Sequence, residues 1–394
     1  MAGTRRWISG LVAVGLAATL WLPSVHFLFR RPDAAFFSPS GVSPQARALA
    51  ARHLQIWTEP GLKTAEVERM RQSNSEWDFM GRSFLVWSLA EMGLRDPAVK
   101  PACLPVMDRI IEETIQLEQE RGIYFFLMPY AKARPYVAQP PRSLFVDGEI
   151  ALMLAMRRML EEKEAYRPLL NARVNFMIER MKRSKVLAAE SYPDECWMFD
   201  HAVGLAAIRL ADHLDGSDHA ELFREWIATT RKELVHPNTG LLVSSFSTSG
   251  AHLDGPEGSS IWMVAHCLRL IDPEFAQDQY RRARKELGRD WLGFAYSREW
   301  PVSWKGPVDI DSGVVIPILG ASPGGSGLAF IGASSFCDLG FLSKLHASLD
   351  LAAFPVCEHG RLRYCASNAV GDAAMLYGTV LGPIWQQVLG GRKR

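Results

Sequence analysis

The chain has 394 residues, enough for two average domains or for one large domain built from repeats. Hydrophobic residues make up 48% and charged residues 22%, a globular mix that excludes disorder over the whole chain. Lysine and arginine number 44 against 43 aspartate and glutamate residues, and this balance argues against a nucleic-acid-binding protein.

The N-terminal segment differs from the rest of the chain. Arginines precede an uncharged run, Trp7–Phe29, that is long enough to cross a bilayer at about 20 residues per span. A cleavable signal peptide has a shorter apolar stretch and ends at a small-residue cleavage site. We therefore predict an uncleaved single-pass membrane anchor over residues 1–31, followed by a proline- and serine-rich linker over residues 32–43. Arginines also follow the run, so the side of the membrane stays open.

Beyond the linker, apolar residues recur at helical spacing. The strongest apolar runs are Trp77–Leu94, Leu144–Leu160, Trp197–Leu214, Ile261–Leu270 and Ala369–Leu389. More polar helices are predicted between them, at Arg167–Lys182 and Ala220–Leu234. Only Gly240–Phe246 and Val314–Leu319 are candidates for short strands. The pattern predicts an all-α domain over residues 44–394, built from helix pairs.

Acidic residues at or near the starts of successive apolar helices give a coarse period of about 59 residues, the length of one helical hairpin with its loops. The six are Asp78, Glu149, Asp200, Glu257, Asp311 and Asp372. They were chosen from 43 acidic residues, and the units share no visible sequence repeat. The spacing nevertheless predicts an (α/α)6 toroid. Six inner helices would run in the same direction inside six outer ones, and the acids would converge on a central cavity.

Glu149 is the first candidate for acid–base chemistry. It shares an apolar helical stripe with Phe145, Leu152 and Met156. A buried carboxyl group without a partner raises its pKa, and a carboxylic acid that stays protonated near neutral pH can act as a general acid. The alternative is an acid at a helix start, next to Gly148, that the helix dipole stabilises.

Asp200 is the second candidate, in the densest acidic segment of the chain. Its neighbours at helical spacing are small and apolar, among them Val203 and Ala207, and no capping role is expected that far into the helix. His201 beside it is either a core histidine or a proton shuttle. Asp194 and Glu195 stand where first-turn acids of a helix are common, which is the structural alternative for both.

The remaining candidates also have structural alternatives. Glu257 stands at a capping position, and Asp78 has cap-like spacing with Arg82 one turn further on. Asp311 could bind a cation or cap a helix. Aromatic residues near the acids could line an apolar pocket or simply fill the core. The predicted substrate-binding residues are Asp78, Asp194, Glu195, Tyr192, Trp197, Glu257, Trp262, Asp311, Tyr364 and Asp372.

No metal site or cofactor is predicted. The six cysteines are spread without a C-x-x-C motif and without the histidine spacing of zinc sites. A G-x-S-x-G match at Gly320–Gly324 is rejected as a hydrolase motif. Pro323 follows the serine and has no N–H for an oxyanion, and the βαβ alternation is missing.

Several segments resemble the linalool dehydratase/isomerase family: FVDGE, SYPDECWMFDH, HPNTGLL, IDPEF and LRYCASNAVGD. The similarity runs from about Asp78 to Leu389 and is carried by scattered identities, among them Gly148, Pro193 and Arg363. The resemblance implies an (α/α)6 barrel, a ring-shaped homo-oligomer and catalysis without a cofactor. It also implies dehydration of a tertiary terpene alcohol to a diene and isomerisation of the primary alcohol.

The catalytic positions of that family do not carry over unchanged. Its active-site histidine falls on Glu149, and its two cysteines fall on Ser191 and Asp200. A cysteine–histidine system would thus have become a carboxylate system. The predicted catalytic residues are Glu149, Asp200, Ser191 and His201.

These observations favour a membrane-anchored hydro-lyase or isomerase that acts on a hydroxylated, terpenoid-like small molecule. The alternatives are a carbohydrate-active hydrolase or epimerase on the same toroid, since paired Asp and Glu residues cleave glycosidic bonds, and a binding toroid without catalysis. The expected partners are a small-molecule substrate and the membrane, with a homo-oligomer implied by the resemblance and no nucleic acid.

Overall fold

A computed structural model describes residues 2–38, 40–308 and 313–390, and most of these residues lie in helices. In chain order the helices are α1 (Ala2–Ser24), α2 (Pro44–Thr58), α3 (Pro60–Lys63), α4 (Arg69–Ser73), α5 (Ser75–Arg95), α6 (Lys100–Arg121), α7 (Leu144–Leu160), α8 (Arg167–Arg183), α9 (Met198–Asp215), α10 (Ala220–Glu233), α11 (Gly258–Leu268), α12 (Pro273–Glu286), α13 (Pro323–Ser335), α14 (Leu339–Ala352), α15 (Ala369–Val380) and α16 (Pro383–Gly390). The strands are β1 (Cys196–Trp197), β2 (Ser245–Phe246), β3 (His252–Asp254), β4 (Gly288–Trp291), β5 (Phe294–Ser297), β6 (Pro355–Glu358) and β7 (Arg361–Tyr364).

The inner helices form a closed ring. Helix α5 packs on α7, α7 on α9, α9 on α11, α11 on α13, α13 on α15, and α15 returns to α5. Outside the ring, α6 lies against α5 and α7, α8 against α7 and α9, α12 against α11, and α14 against α13. The terminal helices α2 and α16 cover the seam between α15 and α5. This arrangement confirms the predicted (α/α)6 toroid.

Burial explains which helices lie inside. All residues of α7 are buried except Met159, and ion pairs compensate the buried charges of Asp147, Arg157 and Arg158. In contrast, α12 buries one face only, which includes Phe275, Gln279 and Ala283. The polar faces of the outer helices meet solvent. The helices with the wider buried surface therefore lie inside the ring, and those with one buried face lie outside it.

Capping residues fix the ends at which the inner helices begin. Asn74, Ser143, Ser322 and Asn368 accept first-turn N–H groups of α5, α7, α13 and α15. Each inner helix is followed by an outer helix that returns, so all six inner helices start at the same end of the toroid. We call this end, where Ser75, Leu144, Met198, Gly258, Pro323 and Ala369 lie, the upper end. The opposite end is the lower end.

Close approach of α7 and α9 depends on glycine. A Cβ atom at Gly148 would lie 3.3 Å from the Gly204 backbone, a contact that needs adjustment of both helices. Neither glycine has a positive φ, so space and not backbone conformation requires them. The two residues allow the strongest helix contact of the ring to form.

The strands are short hairpins at the upper end. β1, β2 and β3 form one antiparallel sheet, while β4–β5 and β6–β7 are separate antiparallel pairs. The predicted strand at Gly240–Phe246 shrinks to β2, and Val314–Leu319 forms no strand beyond a bridge from Ile316 to Ala321. All six cysteines are free, three of them buried and three exposed.

The N-terminal segment Thr4–Ala35 is long and apolar enough to cross a membrane, with a mean hydropathy of 1.8, a property that anchors and signal sequences share. Helix α1 is exposed to solvent over nearly its whole described length. The segment that follows α1 contacts the domain. The ring of Phe29 lies 6.3 Å from that of Phe294 in β5, and Arg31 forms an ion pair with Asp350 of α14 at 2.5 Å.

The predicted linker also packs on the domain. Phe36 is 2% exposed, and its ring stacks on His346 of α14 at a centroid distance of 3.9 Å. The segment between α1 and α2 is thus held against α14.

Candidate active site

A cavity of about 570 Å³ opens at the upper end of the ring. This volume falls within the range of about 300–1,000 Å³ that is usual for small-molecule sites. Aromatic side chains form much of its wall: Trp77, Phe84, Tyr130, Phe145, Tyr192, Trp197 and Phe199. Hydroxyl and amide groups lie among them, from Asn74, Ser259, Ser260, Ser367 and Asn368. The cavity therefore offers both flat apolar surfaces and hydrogen-bonding groups.

Three carboxyl groups line this cavity within the described ranges 2–38, 40–308 and 313–390: those of Glu76, Asp200 and Glu257. They come from the first turns of α5 and α9 and from the residue before α11. Ser244, next to β2, ties the last two together. Its carbonyl accepts the Met198 N–H at 2.8 Å, and its hydroxyl accepts the Glu257 N–H at 3.0 Å. Asp200 and Glu257 thus stand on neighbouring inner helices that one residue connects.

The carboxyl group of Asp200 has a raised pKa. Burial raises its pKa from 3.8 to about 8, a hydrogen bond with the Ser191 side chain opposes the rise, and the charges of Glu76 and Glu195 add to it. At pH 7 a carboxyl group with this pKa holds its proton for most of the time. It can therefore donate that proton to a substrate oxygen in the cavity.

Glu76 belongs to a hydrogen-bonded aromatic wall. The Tyr192 hydroxyl donates to its carboxylate and accepts the Met128 N–H at 2.9 Å. The ring of Tyr130 stacks on that of Tyr192 at 4.5 Å. These contacts hold two aromatic faces and a carboxylate in one fixed arrangement.

Glu195 orients the neighbouring aromatic side chains without lining the cavity itself. Its carboxylate accepts the Trp197 indole N–H at 2.5 Å and the Tyr130 hydroxyl at 3.4 Å. Of the predicted substrate-binding residues, Tyr192, Trp197 and Glu257 do line the cavity.

Glu257 occupies the N-cap position of α11, but its side chain does not cap the helix. The alternative prediction, that the Glu257 side chain caps a helix, is therefore wrong. The carboxyl group lies at the start of α11. It is 2% exposed and faces the same cavity as Asp200.

Glu149 lies below the cavity instead of on its wall. Phe145, one turn earlier in α7, is a lining residue, whereas Glu149 is not. Burial raises its pKa well above 4.5, Ser83 is its side-chain hydrogen-bond partner, and its Oε2 atom has none. A role in direct contact with substrate has no support from this position.

Ser191 and His201 serve the geometry around Asp200. The Ser191 side chain bonds to Asp200 and also accepts the Trp197 N–H at 3.3 Å. In His201, Nδ1 lies 2.7 Å from the Trp197 carbonyl and Nε2 accepts the Ala189 N–H at 3.0 Å. Burial lowers the His201 pKa to about 4. Both ring nitrogens are occupied, so the proton-shuttle hypothesis finds no atom to use, and His201 is a core histidine.

Three predicted substrate-binding acids have structural partners. Asp78 forms ion pairs with Arg71 at 3.1 Å and Arg82 at 2.8 Å. Asp194 accepts the Thr248 hydroxyl at 2.7 Å. Asp372 accepts the N–H of a β7 residue at 3.3 Å, and burial raises its pKa to about 7. None of these acids lines the cavity.

The other predicted residues lie in the core or outside the described ranges. Trp262 is fully buried and donates to Ser297 at 2.9 Å, and Tyr364 accepts from Gln45 at 2.7 Å. Asp311 lies outside the described residues. Within them, no cluster of three or more His, Cys, Asp or Glu side chains is arranged to hold a metal ion.

The sequence analysis missed several lining residues, above all Glu76, Asn74 and Tyr130. Asn74 and Glu76 carry a visible signal, since an N-cap residue followed by a first-turn acid marks a helix start. Tyr130 comes from an irregular segment whose sequence gives no indication of where it lies.

Comparisons with known proteins give similarity at the level of structure only. No protein-family model matches the sequence, and no curated protein matches it. A GH76 alpha-mannanase from Bacteroides thetaiotaomicron has a TM-score of 0.48 and 10% identity over 79% of this chain and 87% of its own. A family 105 glycoside hydrolase from C. acetobutylicum has a TM-score of 0.47 and 12% identity over 87% of this chain and 98% of its own.

Proposed function

We propose that the chain is a carbohydrate-active hydrolase that cleaves a glycosidic bond in the cavity at the upper end. One observation carries the proposal. A protonated carboxyl group, that of Asp200, shares an open, aromatic-lined cavity with the carboxylate of Glu257. Glycosidases use such a pair, one carboxyl group as the acid and the other as the base or nucleophile.

In the proposed reaction, Asp200 gives its proton to the glycosidic oxygen as the bond to the anomeric carbon breaks. Glu257 acts on that carbon from the other side, directly or through a water molecule that it deprotonates. Water supplies the hydroxyl group of the new reducing end, and one carboxyl group regains the proton. Ser191 holds Asp200 in place.

The walls of the cavity support a sugar as substrate. Sugar rings present flat C–H faces that stack on aromatic side chains, and Trp77, Tyr130 and Trp197 offer such surfaces. The side-chain N–H groups of Asn74 and Asn368 can donate to sugar hydroxyl groups, while the Oδ1 atoms of both residues cap α5 and α15. The lining thus offers aromatic surfaces for the C–H faces of a sugar ring and polar groups for the hydroxyl groups at its edge.

The proposal is tested by comparing two leaving groups on one sugar. Asp200→Asn removes the acid, and we expect turnover of alkyl glycosides to fall by ~10²–10⁴-fold, the usual range for a positioned acid–base group. Dinitrophenyl glycosides need no protonation of the leaving group, so the variant should lose far less turnover on them. A panel of sugars in both forms identifies the substrate.

Asp372→Asn is the matched control, because Asp372 is also a buried acid at the start of an inner helix but does not line the cavity. It should leave both activities unchanged. Equal losses on both leaving groups with Asp200→Asn, or no loss on either, would contradict the general-acid role.

A second candidate is the acid-catalysed dehydration of a tertiary alcohol. The inner part of the cavity is apolar, formed by Met80, Phe84, Leu328 and Val370, and it suits a hydrocarbon chain. Asp200 would then protonate the leaving hydroxyl group. Gas chromatography of linalool incubated with the protein decides between the two, since only this candidate yields a diene.

We also propose that α1 remains attached as a membrane anchor. The segment after α1 is built into the domain, through the packing of Phe29 on Phe294 and the Arg31–Asp350 ion pair. Intact mass and N-terminal sequencing of the mature chain test this. Loss of the first ~20 residues would identify a signal peptide instead.

A further inference from the structure

The segment after α1 joins the domain at the upper end of the toroid. Inner helix α13 starts at the upper end, so outer helix α14 begins at the lower end with Leu339 and returns to the upper end. Asp350, the partner of Arg31, lies in the last turn of α14. His26 lies directly against Gly293, at the turn between β4 and β5.

Exposed large apolar side chains are concentrated at the upper end of the toroid, and several lie in segments near this junction. They include Trp291, Val308, Val314, Ile316, Ile318 and Phe354, and Ile318 is 97% exposed. At the lower end, the described residues have only Leu169 and Leu339 as exposed large apolar side chains, each under 40% exposed. Single exposed apolar residues are ordinary, but a group at one end of a protein marks an interaction surface.

Hydrogen bonds join the segments that carry several of these side chains. The Leu319 carbonyl accepts from Arg298 at 3.2 Å, next to the end of β5, and the Ala295 N–H of β5 donates to Ser348 of α14 at 2.9 Å. Phe354 follows directly after α14. The loop before α13, the β4–β5 hairpin and the end of α14 therefore lie side by side.

We propose that this region, which we call the apolar rim, rests on the bilayer that α1 enters. The proposal rests on the proposed retention of α1. A helix that leaves the domain among these side chains necessarily brings them close to the membrane surface, and tryptophan at such a surface is favourable. The rim also borders the cavity, since Gly313 and Val314 line it. The mouth of the cavity then opens onto the lipid headgroups.

Depth measurements with nitroxide labels on the full chain test the rim. The exposed cysteines Cys337, Cys357 and Cys365 are replaced by serine, and a label is placed at position 318, 351 or 339. Leu351 and Leu339 are a matched pair, 41% and 39% exposed at opposite ends of α14 and about 18 Å apart along the helix. The protein is placed in nanodiscs that hold one copy each, and intact mass verifies that α1 is present.

At each position we compare how often the nitroxide label collides with oxygen, which concentrates in the bilayer, and with a water-soluble nickel complex. We expect the oxygen-to-nickel ratio at positions 318 and 351 to exceed that at position 339 by at least threefold. Equal, water-like ratios at all three positions would overturn the rim while leaving the anchor and the proposed activity untouched. The proposed contact with the bilayer would also be overturned if the label at position 318 were shielded from the nickel complex only in nanodiscs that hold two copies. A second copy of the chain would then cover the surface.

Discussion

The pKa of Asp200 leads to a prediction about stability that needs no substrate. The folded chain holds this carboxyl group at a pKa of about 8, against 3.8 for an ordinary aspartate. Because the folded pKa is the higher one, the contribution of Asp200 to stability is complete below pH 3.8 and decreases as the pH rises to 8. Within that window each pH unit lowers the free energy of unfolding by about 1.4 kcal/mol. At pH 7 the accumulated loss is about 4 kcal/mol.

Asp200→Asn cannot ionise and should not show this loss. With an unfolding entropy of about 2.1 cal/mol/K per residue, 4 kcal/mol over this chain corresponds to about 5 °C in melting temperature. We therefore expect the melting temperature of the variant, relative to wild type, to rise by about 5 °C between pH 4 and pH 7. Thermal melts at unit steps of pH in detergent measure the difference.

Glu274→Gln is the control, because Glu274 is exposed on α12, and the rise expected of Asp200→Asn is measured against this variant. A variant whose melting temperature, relative to wild type, falls between pH 4 and pH 7 would show that Asp200 is ionised and paired in the folded state. A difference that does not depend on pH would refute the reasoning in the same way.

Three further predictions concern the fold. Asp78→Asn removes the carboxylate that pairs with Arg71 and one of the two that pair with Arg82, the other being that of Glu113, and should reduce the free energy of unfolding in urea by about 1–3 kcal/mol. Gly148→Ala brings a methyl group against Gly204 and should cost about 1–3 kcal/mol by the same measurement. Gly293→Ala strains a φ of +83° and meets the His26 ring, so tryptic cleavage after Arg30 should accelerate.

The inner helices were predictable because their signals are local. Leu144–Leu160 matches α7 in both bounds, since Ser143 caps it and apolar residues surround it. The apolar run Ala369–Leu389 forms two helices. Gly382 and Pro383 divide it into α15 and α16, and Glu91 accepts the N–H groups of Gly382 and Ile384 at the break. A partner about 290 residues away leaves no trace in local spacing.

The site was predicted less well, and helix geometry gives the reason. Asp78 and Glu76 are two residues apart, so they lie on nearly opposite faces of α5. The spacing argument selected Asp78, which pairs with arginines, while Glu76 faces the cavity. Glu149 was placed on the correct helix but one turn too deep. Asp200 was expected beyond the first turn of its helix, but α9 begins at Met198 and Asp200 lies in its first turn. Asp200 and Glu257 were both predicted, and both line the cavity.

The seam of the ring joins residues that are far apart in the chain. Arg95 at the end of α5 donates to the Val380 and Leu381 carbonyls after α15, across 285 residues of sequence. Contacts at such separation form late, since the whole intervening chain must fold first. During synthesis α1 emerges first and α15 and α16 last. Until α15 and α16 are made, the five preceding helical hairpins leave the faces of the ring that α15 covers exposed to solvent. A chain that stops before residue 369 would lack α15, so the ring of inner helices would stay open between α13 and α5. The cavity would then lose the lining residues that α15 contributes.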